Sequence, residues 1–152
     1  MTKEPRWLSK AAVLAIHERL LAEHGGATGT LDEGLHAAAL AGPVNHFTYD
    51  QPDIFHLAAI YAHGLTRNHP FSDGNKRVAL TVAGVFLEFN GFRLDAPEHE
   101  AVTAILALSE RTLDAESFAA WLKASCTEIP PTKAAGSTTV EPRRRRRRPP
   151  KR

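Results

Sequence analysis

The sequence is poor in several things, and each shortage excludes something. One cysteine, Cys126, stands in 152 residues. No internal disulfide can form, and a reducing cytosol is the natural home. The longest apolar run, Val78 to Leu87, is ten residues, half of the roughly 20 that a membrane helix needs. Near the start, Glu18 and Arg19 interrupt the apolar stretch Ala11 to Ile16, so no signal-like segment is expected. Strand-like alternation is nearly absent and no segment repeats. Secreted, membrane-spanning and disulfide-rich proteins are thereby set aside. The length fits one domain able to bury a core without staples.

A net excess of one charge is nearly lacking, with a formal net of +2, but that figure averages two unlike parts. Residues 1–140 carry 11 bases against 16 acids, whereas 141–152 hold Arg143 to Arg148, Lys151 and Arg152 against Glu141 alone. The body is mildly acidic and the tail strongly basic. Ile129-Pro130-Pro131 closes the body, and the arginine block lies between Pro142 and Pro149-Pro150. Such composition cannot recover the entropy of ordering. The expected organisation is a folded domain over 1–128 and a disordered tail over 129–152. The tail could attract nucleic acid or another polyanion by counterion release. It has no interleaved aromatics to read bases.

The body is a succession of helical patterns. Ser9 is placed to cap a helix carrying Val13, Ile16, Leu20 and Leu21 on one face, stopped by Gly25-Gly26. Thr30 and Glu33 have the spacing of a capping box for a short helix ending at Gly42-Pro43. Asn45 to Asp50 follows as a loop or short hairpin. Pro52 opens a segment with Ile54, Leu57, Ala58, Tyr61 and Leu65 at helical spacing. From Lys76 to Phe89 the chain is apolar on nearly every side, which predicts a buried central helix ended by Asn90-Gly91. Another helix starts near Asp95 and Pro97. Asp114 caps the last, with Leu113 and Phe118 as a hydrophobic staple and Trp121 and Leu122 turned inward. The expected fold class is all-α.

The chemistry concentrates in His69-Pro70-Phe71-Ser72-Asp73-Gly74-Asn75-Lys76-Arg77, which leads into the central helix. Gly74 and Asn75 tolerate tight backbone geometry, so amide N–H groups can converge on an anion at the helix start. Lys76 and Arg77 add a mobile point charge and a bidentate fork. Asp73 is a carboxylate able to hold Mg²⁺ against phosphate oxygens. His69 is the nearby side chain able to accept a proton near neutral pH. Phe71 anchors the loop in the core. Each residue singly has an ordinary explanation: a surface histidine, a turn, a solvated helix start. Two cations at the positive end of a helix dipole, however, cost stability unless an anion binds. Together the nine residues describe apparatus for moving a phosphorus group onto a hydroxyl.

Other signals carry less. His56 and His63, two helical turns apart, are too distant for a shared metal without a third ligand. The remaining histidines are scattered. Gly25-Gly26-Ala27-Thr28-Gly29 has neither a preceding strand nor a following Gly-Lys-Ser/Thr, so it is a helix stop.

The motif resembles that of the Fic/Doc family, His-x-Phe-x-Asp/Glu-Gly-Asn followed by a basic or glycine pair. It is matched at His69, Phe71, Asp73, Gly74, Asn75, Lys76 and Arg77. The resemblance extends over roughly residues 6–125 and favours the death-on-curing (Doc) branch. Where Fic proteins continue Gly-Asn-Gly-Arg-x-x-Arg, this chain has Lys76 for the glycine and Leu80 for the second arginine. The resemblance implies a toxin of a toxin–antitoxin pair that phosphorylates a protein hydroxyl using ATP and Mg²⁺, with elongation factor Tu as target and a small antitoxin acting in trans. It implies His69 as base, Asp73 as metal ligand, and Gly74, Asn75, Lys76 and Arg77 as the phosphate site. The Asn45–Asp50 loop would correspond to the target-docking flap. AMP transfer, as in the Fic branch, is the alternative reaction. An idle motif with a polyanion-binding tail is the alternative outside enzymes. The inhibitory Ser/Thr-x-x-x-Glu-Gly/Asn helix of many Fic proteins has its nearest match at Ser137 to Glu141, but Pro142 follows and Leu80 offers no arginine partner. Self-inhibition is therefore not expected.

Overall fold

The computed structural model describes residues 4–26, 31–71 and 74–130. Among these, helices α1 (Lys10–His24), α2 (Glu33–Asp50), α3 (Ile54–Asn68) and α4 (Asn75–Phe89) precede strand β1 (Phe92–Leu94). Helices α5 (Glu98–Ser109) and α6 (Ala115–Ser125) and strand β2 (Cys126–Glu128) complete the chain order. The fold is all-α, with one small ribbon.

Most helix ends follow local chemistry. The Ser9 hydroxyl accepts from the Ala12 N–H at 3.1 Å, and Gly25, at φ 81°, closes α1 with its N–H on the Leu21 carbonyl. Asp53 caps α3 through the His56 N–H at 2.8 Å. Asp114 caps α6 through the Ser117 N–H at 2.8 Å, and that bond holds its carboxyl below the usual carboxylate range.

Helix α2 departs from expectation at both ends. Asp32, not Thr30, is its cap, accepting from the Leu35 N–H at 3.0 Å; Thr30 lies outside the described residues. The Glu33 carboxylate does not turn back to complete a capping box but pairs with Lys10 of α1. The helix then runs through Gly42-Pro43 to Asp50, so the loop or hairpin expected over Asn45–Asp50 is helical and supplies no loop-like flap. Burial explains the continuation. His36, Ala39 and Pro43 are enclosed, and Phe47 packs against the same core. These spacings form one helical stripe, whose burial outweighs the hydrogen bond that Pro43 cannot donate. Gly64 of α3 lets this stripe approach closely: a Cβ there would lie 3.3 Å from the Ala39 Cα.

The centre is shared by α3 and α4. Helix α3 packs against α2, α4, α5 and α6, and α4 against α1, α3, α5 and β1. Helix α4 buries Val78, Ala79, Val82, Ala83, Phe86 and Leu87, while Leu80, Thr81, Gly84 and Val85 are half-covered. Tyr61, Phe86, Phe118 and Leu122 are fully enclosed, each large apolar side chain contributing about 1.5–3 kcal/mol.

The ribbon was not visible in the sequence because each strand has three residues. Phe92 pairs with Glu128 and Leu94 with Cys126, antiparallel, and the Ile129 N–H reaches the Gly91 carbonyl at 2.8 Å. Apart from Ile129 and Pro130, the expected disordered tail lies outside the described residues. Among the described residues, no helix is long and apolar enough to cross a membrane.

A buried phenol is one of the holds on the amino-terminal strap. The Leu8 N–H donates to the Tyr61 hydroxyl at 3.2 Å, and burial pushes that hydroxyl's pKa up. Trp7 stacks on Phe86. Tyr61→Phe leaves the buried Leu8 N–H without an acceptor and is expected to lower unfolding free energy by about 1–3 kcal/mol in urea titration.

Candidate active site

Four elements meet at one end of the bundle: the middle of α1, the start of α2, the end of α3 and the start of α4. Helix α3 stops at His69, which caps it in the left-handed conformation at φ 48°. Pro70, lacking an N–H, cannot extend the helix. His69 itself is exposed, whereas Pro70 and Phe71 are buried. The turn is thus an exposed imidazole standing on two anchored residues.

The anchoring comes from three directions. The Asp32 N–H donates to the Pro70 carbonyl at 2.8 Å, and the Asn68 side-chain amide donates to the Leu35 carbonyl at 3.0 Å. Both bonds fasten the turn to the start of α2. Phe71 lies stacked on His17 of α1 with ring centroids 3.8 Å apart, and edge-on to His36 of α2 at 5.5 Å. Finally, Asn75 clasps the backbone of Phe71 twice. Its Oδ1 accepts from the Phe71 N–H at 3.1 Å, and its Nδ2 donates to the Phe71 carbonyl at 2.9 Å.

That clasp changes the chemistry available to Asn75. Its side chain is engaged in closing the loop, so what it offers an anion is its backbone N–H in the first turn of α4. The N–H groups of such a turn have no intrahelical acceptor. Gly74 precedes it as the N-cap at φ 82°, with no side-chain cap. A Cβ at Gly74 would meet His17 at 3.7 Å, an ordinary contact. Glycine is therefore required by the positive φ, not by crowding within the chain. Gly74→Ala is expected to cost about 1–2 kcal/mol of stability from left-handed strain, measurable by thermal unfolding.

Lys76 and Arg77 are exposed in that same first turn, which contains no acidic residue. Among the described residues neither forms a salt bridge. Two full charges therefore add to the positive end of the α4 dipole with no described carboxylate opposing them. A dianionic group such as a phosphate would meet backbone donors, an ammonium and a guanidinium there, with the His69 turn alongside.

Ser72 and Asp73 lie outside the described residues, so the expected metal carboxylate has no described geometry. Among the described residues, no three His, Cys, Asp or Glu side chains converge into a metal cage. One carboxylate with substrate phosphates is the usual way to hold Mg²⁺, and the motif's donor set suits that arrangement. His56 is half-buried. His63 accepts from the Arg67 Nε at 3.2 Å, and burial, then Arg67 and Arg111, push its pKa down.

Of the residues that sequence reasoning singled out, His69 and Phe71 lie on the turn after α3, Gly74 caps α4, and Asn75, Lys76 and Arg77 form its first turn, while Asp73 lies outside the described residues. That reasoning missed His17, His36, Asp32 and Asn68. The only sequence signal for these was that two of the scattered histidines fall on the inward stripes of α1 and α2.

The site defines a class: a helical protein whose buried helix presents a cationic amino terminus beside an anchored histidine turn. The family model described as Fic/DOC family matches residues 7–87, and the chain belongs to that family. Protein kinase doc of Escherichia phage P1 is 35% identical over 108 residues, covering 69% of this chain and 85% of that protein. Toxin Doc of Mycolicibacterium smegmatis is 36% identical over 102 residues, covering 64% and 78% respectively.

Proposed function

We propose that this chain is a Doc-type toxin that transfers the γ-phosphoryl group of a nucleoside triphosphate, ATP in the simplest case, to a Ser or Thr hydroxyl of a target protein. The observation that carries this reading is the Lys76–Arg77 pair, without a salt bridge among the described residues, on the first turn of α4 next to the His69 turn. In this mechanism the hydroxyl oxygen attacks the γ-phosphorus and its proton passes to the His69 imidazole. The bond from the γ-phosphorus to the bridging oxygen breaks, and a nucleoside diphosphate leaves. Lys76, Arg77 and the backbone N–H groups following Gly74 hold the phosphates. Asp73 would hold Mg²⁺, which neutralises phosphate charge when bound. Asn75 keeps the loop closed.

The lysine at position 76 and the half-covered Leu80, where AMP-transferring relatives would carry glycine and arginine, favour phosphoryl over adenylyl transfer. The relatives' names, one a kinase and one a toxin, agree with this reading. Elongation factor Tu is the target proposed, with translation arrest as the outcome. A small antitoxin supplied in trans is the proposed restraint. Analysis of the nucleotide product tests the reaction. Incubation with target and ATP is expected to yield ADP in step with target modification, whereas pyrophosphate would identify AMP transfer.

A further inference from the structure

Below the active-site turn lies a histidine that the proposed mechanism does not use. His36 is fully enclosed, and neither its Nδ1 nor its Nε2 has a hydrogen-bond partner. A neutral imidazole carries one donor and one acceptor, and buried polar groups are ordinarily paired. An enclosed ring with both nitrogens unpaired is therefore a conspicuous exception. Its position gives the exception meaning, because it lies edge-on to Phe71 at 5.5 Å. Phe71 is wedged between two imidazoles, with His17 stacked on its other side at 3.8 Å.

Charge around His36 is unfavourable to a second proton. Lys10 and His17 of α1 disfavour its protonation and together outweigh Glu33, which lies on its own helix, pairs with Lys10 and favours it. From the described part of the turn, the aromatic ring of Phe71 faces it. Burial is the largest influence and acts in the same direction, holding the His36 pKa below its ordinary value. A protonated ring would carry two donors and a charge with no acceptor in reach. Relief requires water, and Phe71 belongs to the loop between α3 and α4 rather than to a helix.

We propose that His36 is a positioning residue for the His69 turn, acting through Phe71 as a neutral imidazole, and that its protonation releases the turn. The inference rests on reading that turn as the active-site loop. The sign follows from linkage. The open form binds a proton at the ordinary histidine value, near 6.5, and the closed form only at a lower pH. Closure is therefore fully present above about pH 6.5 and is lost as pH falls below it, by tenfold per pH unit for one proton.

Amide exchange followed by NMR on the full chain tests this. Two hydrogen-bonded N–H groups report the turn: Asp32, bonded to the Pro70 carbonyl, and Phe71, bonded to the Asn75 side chain. The Gln51 N–H, bonded to the Phe47 carbonyl at the far end of α2, is the control. Between about pH 6.5 and the lowered His36 value, protection factors of Asp32 and Phe71 are expected to fall about tenfold per pH unit while that of Gln51 holds. His36→Leu, which suits an apolar site, is expected to make the Asp32 and Phe71 protection independent of pH. Flat protection in the wild-type chain from about pH 7 to about pH 5 overturns the proposal, and so does unchanged pH dependence in His36→Leu. Should that variant fail to fold, the wild-type titration decides alone. No nucleotide or target enters the measurement, so it stands or fails separately from phosphoryl transfer.

Discussion

His69→Asn is expected to abolish target phosphorylation while leaving the fold as it is. General-base removal of the hydroxyl proton contributes roughly 10²–10⁴-fold in rate, and an asparagine amide cannot accept that proton. Asparagine is the informative substitution because residue 69 sits in the left-handed region at φ 48°, which asparagine tolerates better than alanine does. The side chain is exposed, so little packing is lost, and loss of transfer cannot be attributed to unfolding if the thermal transition is unchanged. The same variant separates catalysis from polyanion binding. Deleting residues 141–152 is expected to leave transfer intact. If that deletion abolished growth arrest and His69→Asn did not, the arginine tail and not the motif would be the functional element.

The second large effect carries opposite signs in two assays. Lys76→Ala combined with Arg77→Ala would remove the two charge-assisted phosphate contacts proposed above, each worth about 1.5–3 kcal/mol, and is expected to weaken nucleotide use by roughly 10²–10⁴-fold in kcat/KM. Both side chains are exposed on a first turn without an acidic residue. Removing two cations from the positive end of a helix dipole should therefore raise stability by a few tenths of a kcal/mol to about 1 kcal/mol for each. Activity falls and Tm rises. A merely solvated helix start would gain the stability without losing transfer, so the pair of measurements distinguishes a functional cation pair from a decorative one. Adding inorganic phosphate should stabilise the wild-type chain more than the double variant, since only the former keeps the side-chain half of the site.

How far the sequence foretold this arrangement depends on the range of the forces involved. Ends governed by neighbours were legible: Ser9, Gly25, Asp114 and the Asn90-Gly91 stop act within one helical turn of their own residue. The nine-residue motif was legible for the same reason, being contiguous. Helix α2 was not. Gly42-Pro43 is a strong local stop signal, yet Ala39 and Pro43 are buried and Phe47 packs on the same core, and tertiary burial prevailed. The Thr30–Glu33 spacing misled because Glu33 has a better partner in Lys10, 23 residues earlier. The β1–β2 ribbon joins residues more than thirty positions apart through three-residue strands, too short to show alternation.

Within the site the division is the same. Motif order reveals which residues are present, but not that Asn75 spends its amide on Phe71, nor that Phe71 is gripped by imidazoles from two other helices. Those contacts fasten Phe71 to α1, α2 and α4, and they depend on α1 and α2 being packed where they are. The precise placement that the proposed group transfer demands would therefore rest on residues for which the sequence gave little signal beyond two histidines on inward stripes.

The most direct test of the phosphoryl-transfer site uses ATP labelled at either its α- or its γ-phosphorus, with purified target and the wild-type chain. Label on the target from the γ position alone, absent with His69→Asn, is the result predicted. Label from the α position, or target labelling undiminished by His69→Asn, would contradict the account.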